Sequence, residues 1–78
     1  MKITVNLTVQ ELSEGTTVLD LVGQHTGRAL LDNGQPSDGG RLGIAVARNG
    51  ELVPRRRWAE VPLNENDELD LVTAVQGG

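Results

Sequence analysis

The residues best suited to chemistry in this sequence are the last four, Val75-Gln76-Gly77-Gly78. The two glycines have no Cβ atoms, so they form a narrow, pliable thread that can enter a tunnel in a partner protein and adopt either sign of φ there. The carboxylate of Gly78 is then presented without a neighbouring side chain to block attack. The tail therefore predicts a reactive carboxylate that is delivered to another protein.

A free carboxylate needs activation, because its charge repels nucleophiles and oxide is a hopeless leaving group. Adenylation by ATP on a partner enzyme would convert the Gly78 carboxylate into an acyl-phosphate anhydride, which a sulfur nucleophile can attack. The sequence contains no cysteine, so sulfur cannot travel on this chain as a persulfide. It can travel as a thiocarboxylate at Gly78.

Other chemistry finds little support among the residues. His25 is the only histidine, and no serine–histidine–acid arrangement, paired-carboxylate spacing or metal-ligand cluster surrounds it in the sequence. A histidine near a helix C-terminus is explained by its favourable interaction with the helix dipole. Gly39-Gly40 lacks the Lys-Ser/Thr that follows the glycines of a phosphate-binding loop. We therefore expect no enzymatic activity and no bound cofactor or metal.

The charge of the chain restricts the class of partner. The net charge is −4, which argues against a nucleic-acid-binding role, and no Lys or Arg follows Arg57. The acidic last quarter would steer the protein toward a basic partner surface, or it solubilises an exposed strand face. No apolar run approaches the roughly 20 residues that span a bilayer, and the N-terminus does not resemble a signal peptide. A cytoplasmic protein without membrane contact is expected.

The hydrophobic periodicity predicts five strands and one helix. Ile3, Val5 and Leu7 alternate with polar residues as in a half-buried strand, with a tight turn around Asn6-Leu7. The remaining predicted elements are strands at Thr8–Leu12, Gly43–Arg48, Glu51–Val53 and Glu68–Val75, and a helix that begins after Thr17 and frays between His25 and Gly27.

Local signals support these boundaries. Thr17 and Asp20 have the spacing of a capping box, and Val18, Leu21 and Val22 form one apolar stripe. Asn49-Gly50 is a strong hairpin signal. Leu30 and Leu31 are expected to dock on the core, within a segment 26–42 that is predicted to be an extended, mobile loop.

The resulting order indicates an α+β fold in which one main helix packs across a mixed four- to five-stranded sheet. This arrangement resembles the β-grasp, or ubiquitin-like, topology. Residues 1–75 would form the domain and residues 76–78 a flexible tail.

The most distinctive stretch of the sequence is Ala45–Trp58, which contains Asn-Gly-Glu-Leu-Val-Pro-Arg-Arg-Arg-Trp. Together with Pro62-Leu63, Asp67 and Thr73–Gly78, it closely resembles the thiamine-biosynthesis sulfur carriers, the ThiS family. The resemblance extends over all but residues 26–42, where this chain is longer than typical members. It also departs at Asn66, where a glycine is common.

The resemblance implies a function for the tail. Gly78 would be activated by a ThiF-type adenylyltransferase that uses ATP and Mg²⁺, while Gly77 and Gln76 lie in the partner's channel. A cysteine desulfurase or related donor would supply sulfur, and the thiocarboxylate would pass it to thiazole synthase of the ThiG type. The alternatives are a carrier for molybdopterin or cysteine synthesis, a protein modifier joined through Gly78, and a plain ubiquitin-like interaction domain.

Four small apolar residues suggest where a partner docks. Val72 and Ala74 stand where the alternation of the last strand predicts polar residues, and Ala45 and Ala47 occupy the corresponding face of the third strand. If the two strands are adjacent, these residues form a flat apolar patch that leads to the tail, used for docking or covered by a loop.

Two further features of the distinctive stretch have structural explanations. Trp58 is expected to be a core anchor whose indole N–H reaches a local carbonyl. Residues 55–57 are three arginines, which are expected to be solvated in an exposed turn, to pair with Glu51 or Glu60, or to clasp acidic partner residues.

Overall fold

The computed structural model describes residues 1–73 of the chain. The strands are Lys2–Val5 (β1), Thr8–Glu11 (β2), Ile44–Arg48 (β3), Glu51–Val53 (β4) and Glu68–Thr73 (β5); the α-helix is Val18–Thr26 (α1), and a 3-10 helix covers Arg55–Glu60. For each element whose two ends were predicted, the observed bounds agree with the prediction to within one residue. The exception is the final strand, whose last two predicted residues lie outside the described part.

The five strands form one mixed sheet in the order β2-β1-β5-β3-β4. β1 and β5 are parallel, with Thr4 opposite Glu68, and the other neighbouring pairs are antiparallel. The last strand is therefore at the centre of the sheet, between the β1–β2 hairpin and the β3–β4 hairpin. One main helix on a mixed five-stranded sheet confirms the predicted fold class.

The helix begins and ends where its sequence signals indicate. The Thr17 side chain accepts a hydrogen bond from the Asp20 N–H (3.1 Å), and the Asp20 carboxylate accepts one from the Thr17 N–H (3.0 Å). This reciprocal pair satisfies two backbone donors that the first helical turn leaves free. Gly27 ends α1 with φ of 70°, which costs a glycine little.

The core lies between α1 and the inner face of the sheet and is almost entirely aliphatic. Its members are Ile3, Val5, Val18, Leu21, Val22, Leu42, Val46, Trp58, Leu63, Leu69 and Leu71. Trp58 is 1% exposed, and its indole N–H donates to the carbonyl of Val53 at 3.0 Å. The predicted role of Trp58 as a core anchor is confirmed.

The segment 26–42 is held by contacts of its own. The Ser37 N–H donates to the Ala29 carbonyl, and the Arg28 guanidinium lies 3.1 Å from the Asp38 carboxylate. Leu30 packs against the core as predicted, but Leu31 is 49% exposed, so its predicted docking is wrong. The two leucines are adjacent in an extended segment, where successive side chains point in opposite directions. The mobility of this segment stays a prediction.

Arg55 differs from the solvated residue that the sequence suggested. Its guanidinium donates to the carbonyls of Leu42 and Ile44, the latter at 3.2 Å, and lies 5.3 Å from the centroid of the Trp58 ring. The predicted ion pairs of residues 55–57 with Glu51 or Glu60 are not among those formed within residues 1–73. Arg55 thus fastens the end of the 26–42 segment to the core.

The β1–β2 turn places a leucine in an unfavourable conformation. β1 ends at Val5, and the turn residues Asn6 and Leu7 have φ of 48° and 71°. Leu7 does not continue the buried alternation of β1, since it is 93% exposed. A two-residue hairpin turn favours positive φ at both central positions to match the twist of the strands. This requirement overrides the local hydrophobic period at Leu7.

Replacing Leu7 by glycine should stabilise the protein. The substitution removes the steric cost of the left-handed backbone without emptying any packed space, and we expect the free energy of unfolding to rise by about 1 kcal/mol. Urea denaturation measures the change. Leu52→Gly is the control, because Leu52 is also exposed but lies in β4 without positive φ, and it should lower stability. A loss of stability in Leu7→Gly would contradict the prediction.

Candidate functional site

The strand that leads to the predicted reactive tail has two distinct faces. Leu69 and Leu71 of β5 point into the core and are 1% and 7% exposed. Glu68, Asp70 and Val72 point to the opposite face of the sheet and are exposed. The alternation follows from the two-residue period of a strand, and it leaves β5 with one side available to partners.

The exposed side of the sheet carries an apolar cluster. Ala45 lies opposite Val72, and Ala47 lies opposite Asp70, in the antiparallel pairing of β3 with β5. Directly opposed residues share a face and have Cβ atoms about 5 Å apart. Val72 is 61% exposed, Ala45 is exposed and Ala47 is half-buried. The predicted adjacency of these three residues is present in the structure.

Leu52 is a member of this cluster that the sequence interpretation missed. It lies opposite Ala47 in the β3–β4 hairpin and is 71% exposed. The Asn49-Gly50 turn contained the signal, because a two-residue loop pairs Ala47 with Leu52. We call Ala45, Ala47, Leu52 and Val72 the open-face patch.

The open-face patch differs from the predicted one in its charge. Asp70 lies on the same face beside Ala47, so a carboxylate interrupts the apolar surface. Ala74, the fourth residue of the predicted patch, lies outside the described residues, as do Gln76, Gly77 and Gly78. The geometry of residues 1–73 does not test the predicted roles of these four residues.

A buried carboxylate fixes the start of β5. The Asp67 side chain accepts hydrogen bonds from the Arg48 guanidinium (2.9 Å), the Asn49 side-chain amide (3.0 Å) and the Asn64 N–H (2.8 Å). Asp67 is 5% exposed. Of the acidic residues after Arg57, Asp67 is the buried one, whereas Glu60, Glu65, Glu68 and Asp70 are exposed.

The environment of Asp67 favours its charged form. Burial by itself raises the pKa of a carboxyl group, but the hydrogen bonds from Asn64, Asn49 and Arg48 and the positive charge of Arg48 outweigh it. The pKa of Asp67 is therefore held below the ordinary value of 3.8. A carboxylate paired in this way stabilises the folded state wherever it is ionised.

Two turn asparagines use their side-chain amides to bind the backbone of β5. At its start, the Glu68 N–H donates to Asn49 Oδ1 at 2.9 Å. Toward its end, the Leu71 N–H donates to Asn6 Oδ1 at 2.8 Å, and Asn6 Nδ2 donates to the Leu71 carbonyl at 3.2 Å. Both asparagines have positive φ. No sequence pattern pointed to either contact.

The other features considered for chemistry are dispersed. His25 lies exposed in the last turn of α1, away from the open-face patch. A cleft of about 380 Å³ is bounded by the β3–β4 hairpin and by Pro54, Arg57 and Val61. No group of three metal-ligating side chains occurs within residues 1–73. In that same part of the chain, no helix has the length and apolar character needed to cross a membrane.

The fold and the sequence together identify the class of protein. The structure of the thiamine biosynthesis protein ThiS from Geobacter metallireducens superimposes with a TM-score of 0.70 at 19% identity, over 100% of both chains. The fold is accordingly the β-grasp. The ThiS family model matches residues 3–78, and the chain belongs to that family.

A second similarity connects part of the chain with a larger enzyme. Thirty-five residues, 45% of this chain, are 43% identical to a segment of a thiazole synthase from Paramagnetospirillum magneticum. The matched segment is 11% of that protein. The chain thus spans only about a tenth of this curated relative.

The hydrogen bonds of Asp67 predict a pH-dependent contribution to stability. Asp67→Asn should lower the free energy of unfolding at pH 7 by about 1–3 kcal/mol, because it leaves buried donors without a charged acceptor. The contribution is complete above the ordinary value of 3.8 and is lost as pH falls through the lower pKa of the folded state.

Urea denaturation of the wild-type and variant proteins at pH 7 and in acid tests this expectation. The stability difference should narrow on acidification. Asp70→Asn, at an exposed position on the same strand, should show little difference at either pH. A difference for Asp67→Asn that stays constant with pH would contradict the assignment.

Proposed function

We propose that this protein is a sulfur carrier for thiazole formation in thiamine biosynthesis, and that the Gly78 carboxylate is its working group. The observation that carries the proposal is the family match, which extends through Gly77 and Gly78. The absence of cysteine adds support, because it leaves the terminal carboxylate as the place to attach sulfur. In this proposal the chain is a substrate of partner enzymes rather than a catalyst.

The proposed chemistry has two steps. A carboxylate oxygen of Gly78 attacks the α-phosphorus of ATP on a ThiF-type adenylyltransferase, which gives an acyl adenylate and releases pyrophosphate; Mg²⁺ accompanies the nucleotide on that enzyme. The terminal sulfur of a persulfide on a cysteine desulfurase or related donor then attacks the acyl carbon, and AMP leaves. A thiol reductant cleaves the S–S bond of the resulting acyl disulfide and becomes part of a disulfide with the donor, so Gly78 carries a thiocarboxylate.

The open-face patch supports a docking role for the body of the protein. Two large aliphatic side chains, Leu52 and Val72, are 71% and 61% exposed on a sheet face that no described element covers. Exposed carboxylates at Glu68 and Asp70 share that face. A partner surface with a complementary apolar area and basic residues would fit both features.

Thiazole synthase is the proposed recipient of the sulfur. A segment of a thiazole synthase polypeptide resembles almost half of this chain. A carrier-like segment within that polypeptide supports a functional association between the two. Gly77 and Gln76 are proposed to lie in the partner's channel during transfer.

Intact mass spectrometry tests the carrier function. Incubation with the cognate adenylating enzyme, ATP and a sulfur source should replace one oxygen of the terminal carboxylate by sulfur. A variant with one residue appended after Gly78 should stay unmodified. Higher-mass conjugates to other proteins would favour a protein modifier. If cells that carry the variant with the appended residue grow without added thiazole, the protein acts as an interaction domain.

Val72→Asp should slow adenylation by raising the KM for the carrier roughly tenfold, because a charge replaces the apolar centre of the proposed interface. Pyrophosphate exchange with the adenylating enzyme measures the rate, and circular dichroism verifies the fold.

Val9→Asp is a matched control. Val9 is 63% exposed and lies on the same sheet face, but it is on the edge strand β2, two strands away from β5. Its substitution should leave KM unchanged. Equal kinetics for the Val72→Asp variant and the wild-type protein would remove the open-face patch from the proposal.

A further inference from the structure

Asn6 extends the pairing of β1 with β5 beyond the point where β1 ends. The backbone contacts between the two strands run from the Thr4 N–H to the Asp67 carbonyl and from the Asn6 N–H to the Leu69 carbonyl. The chain then turns away into β2 with positive φ at Asn6. The side-chain amide of Asn6 continues in the strand direction and binds both backbone polar groups of Leu71.

This contact occupies a position that no backbone group of β1 can reach. Successive residues of β5 direct their backbone groups alternately toward β1 and β3, and those of Leu71 face β1. Leu71 is 7% exposed, so unpaired backbone groups there would be costly. Asn6 supplies one donor and one acceptor in the manner of a further strand residue.

The location of this contact relates it to the tail. Leu71 directly precedes Val72, the member of the open-face patch on β5, and only Thr73 follows Val72 within the described part. Among residues 1–73, the Asn6 side-chain amide is the group on the β1 side that binds β5 beyond the backbone contact of the Asn6 N–H with Leu69. The position of β5 at Leu71 is therefore set on one side by β3 and on the other by Asn6.

We propose that Asn6 is a positioning residue for reaction at Gly78, a role that rests on the proposed function. By holding Leu71 it holds the described end of β5 relative to the docked sheet face. Freedom at Leu71 would multiply the conformations of the tail and lower the fraction in which the carboxylate meets its reaction partner. The expected defect is in kcat rather than in KM.

The need for positive φ does not account for the amide. Asn66 also has positive φ, at 69°, and no side-chain hydrogen bond of Asn66 occurs among those of residues 1–73. Glycine meets the backbone requirement at such positions equally well. Asn6→Gly thus keeps the turn and removes only the contact with Leu71.

Steady-state adenylation of the Asn6→Gly variant, measured by pyrophosphate exchange at saturating ATP, tests the inference. We expect kcat to fall roughly tenfold while the KM for the carrier is unchanged. Amide hydrogen exchange should become faster at Leu71. The opposite split, a raised KM with normal kcat, would assign Asn6 to docking and overturn the inference.

Asn49→Gly is the matched control for lost stability. It removes two side-chain hydrogen bonds at the start of β5, to the Glu68 N–H and to the Asp67 carboxylate, and it also replaces a residue with positive φ. It should destabilise the domain at least as much as Asn6→Gly yet retain the wild-type kcat when assayed well below its Tm. An equal fall in kcat would show that the effect comes from stability, and the inference would be wrong.

The outcomes also separate this inference from the function on which it rests. An active wild-type protein with an unchanged kcat for Asn6→Gly would overturn the positioning role alone. Failure of the adenylating enzyme to act on the wild-type protein would overturn the proposed function, and the positioning role with it. Asn66→Gly should behave like the wild-type protein in every arm.

Discussion

The buried carboxylate of Asp67 is the constraint on which the sheet depends. It accepts hydrogen bonds from Arg48 at the end of β3, from Asn49 in the β3–β4 turn and from Asn64 in the loop before β5. These contacts join the end of β3 and the β3–β4 turn to the residue that directly precedes the central strand. In a domain whose core is nearly all aliphatic, this polar cluster supplies directional information that apolar packing lacks.

The body of the protein separates stability from contact with partners. One face of the sheet packs on α1 and contains the buried side chains, while the other face presents the open-face patch and the carboxylates of Glu68 and Asp70. Because the faces alternate along each strand, a single strand can serve both purposes. β5 does so, with Leu69 and Leu71 inward and Val72 outward.

The sequence predicted the parts of the fold that depend on neighbouring residues. The capping box at Thr17 and Asp20, the end of α1 between His25 and Gly27 and the Asn49-Gly50 hairpin are all local patterns, and each is present. The adjacency of Ala45 and Val72 was also accessible, because the strand order implied it once the fold class was known.

The missed features involve residues far apart in the sequence. Asn6 and Leu71 are separated by 65 positions, and Arg55 reaches carbonyls 11 and 13 residues before it. The hydrophobic periodicity of a sequence does not indicate which side chain binds a distant backbone group. The predicted alternation of β1 breaks down at Leu7 for another reason. The conformation of the hairpin turn there takes precedence over the alternation of apolar residues.

The central place of β5 has a consequence for how the molecule assembles. Without that strand, the order β2-β1-β5-β3-β4 falls into two hairpins that do not touch through backbone pairing, and isolated hairpins are at best marginally stable in water. During folding, the β1–β2 and β3–β4 hairpins therefore have no shared sheet until β5 pairs between them. That pairing requires closure of a long loop. Completion of the sheet and the placement of Val72 beside Ala45 depend on the same strand pairing, so the whole open-face patch exists only once β5 has joined the sheet.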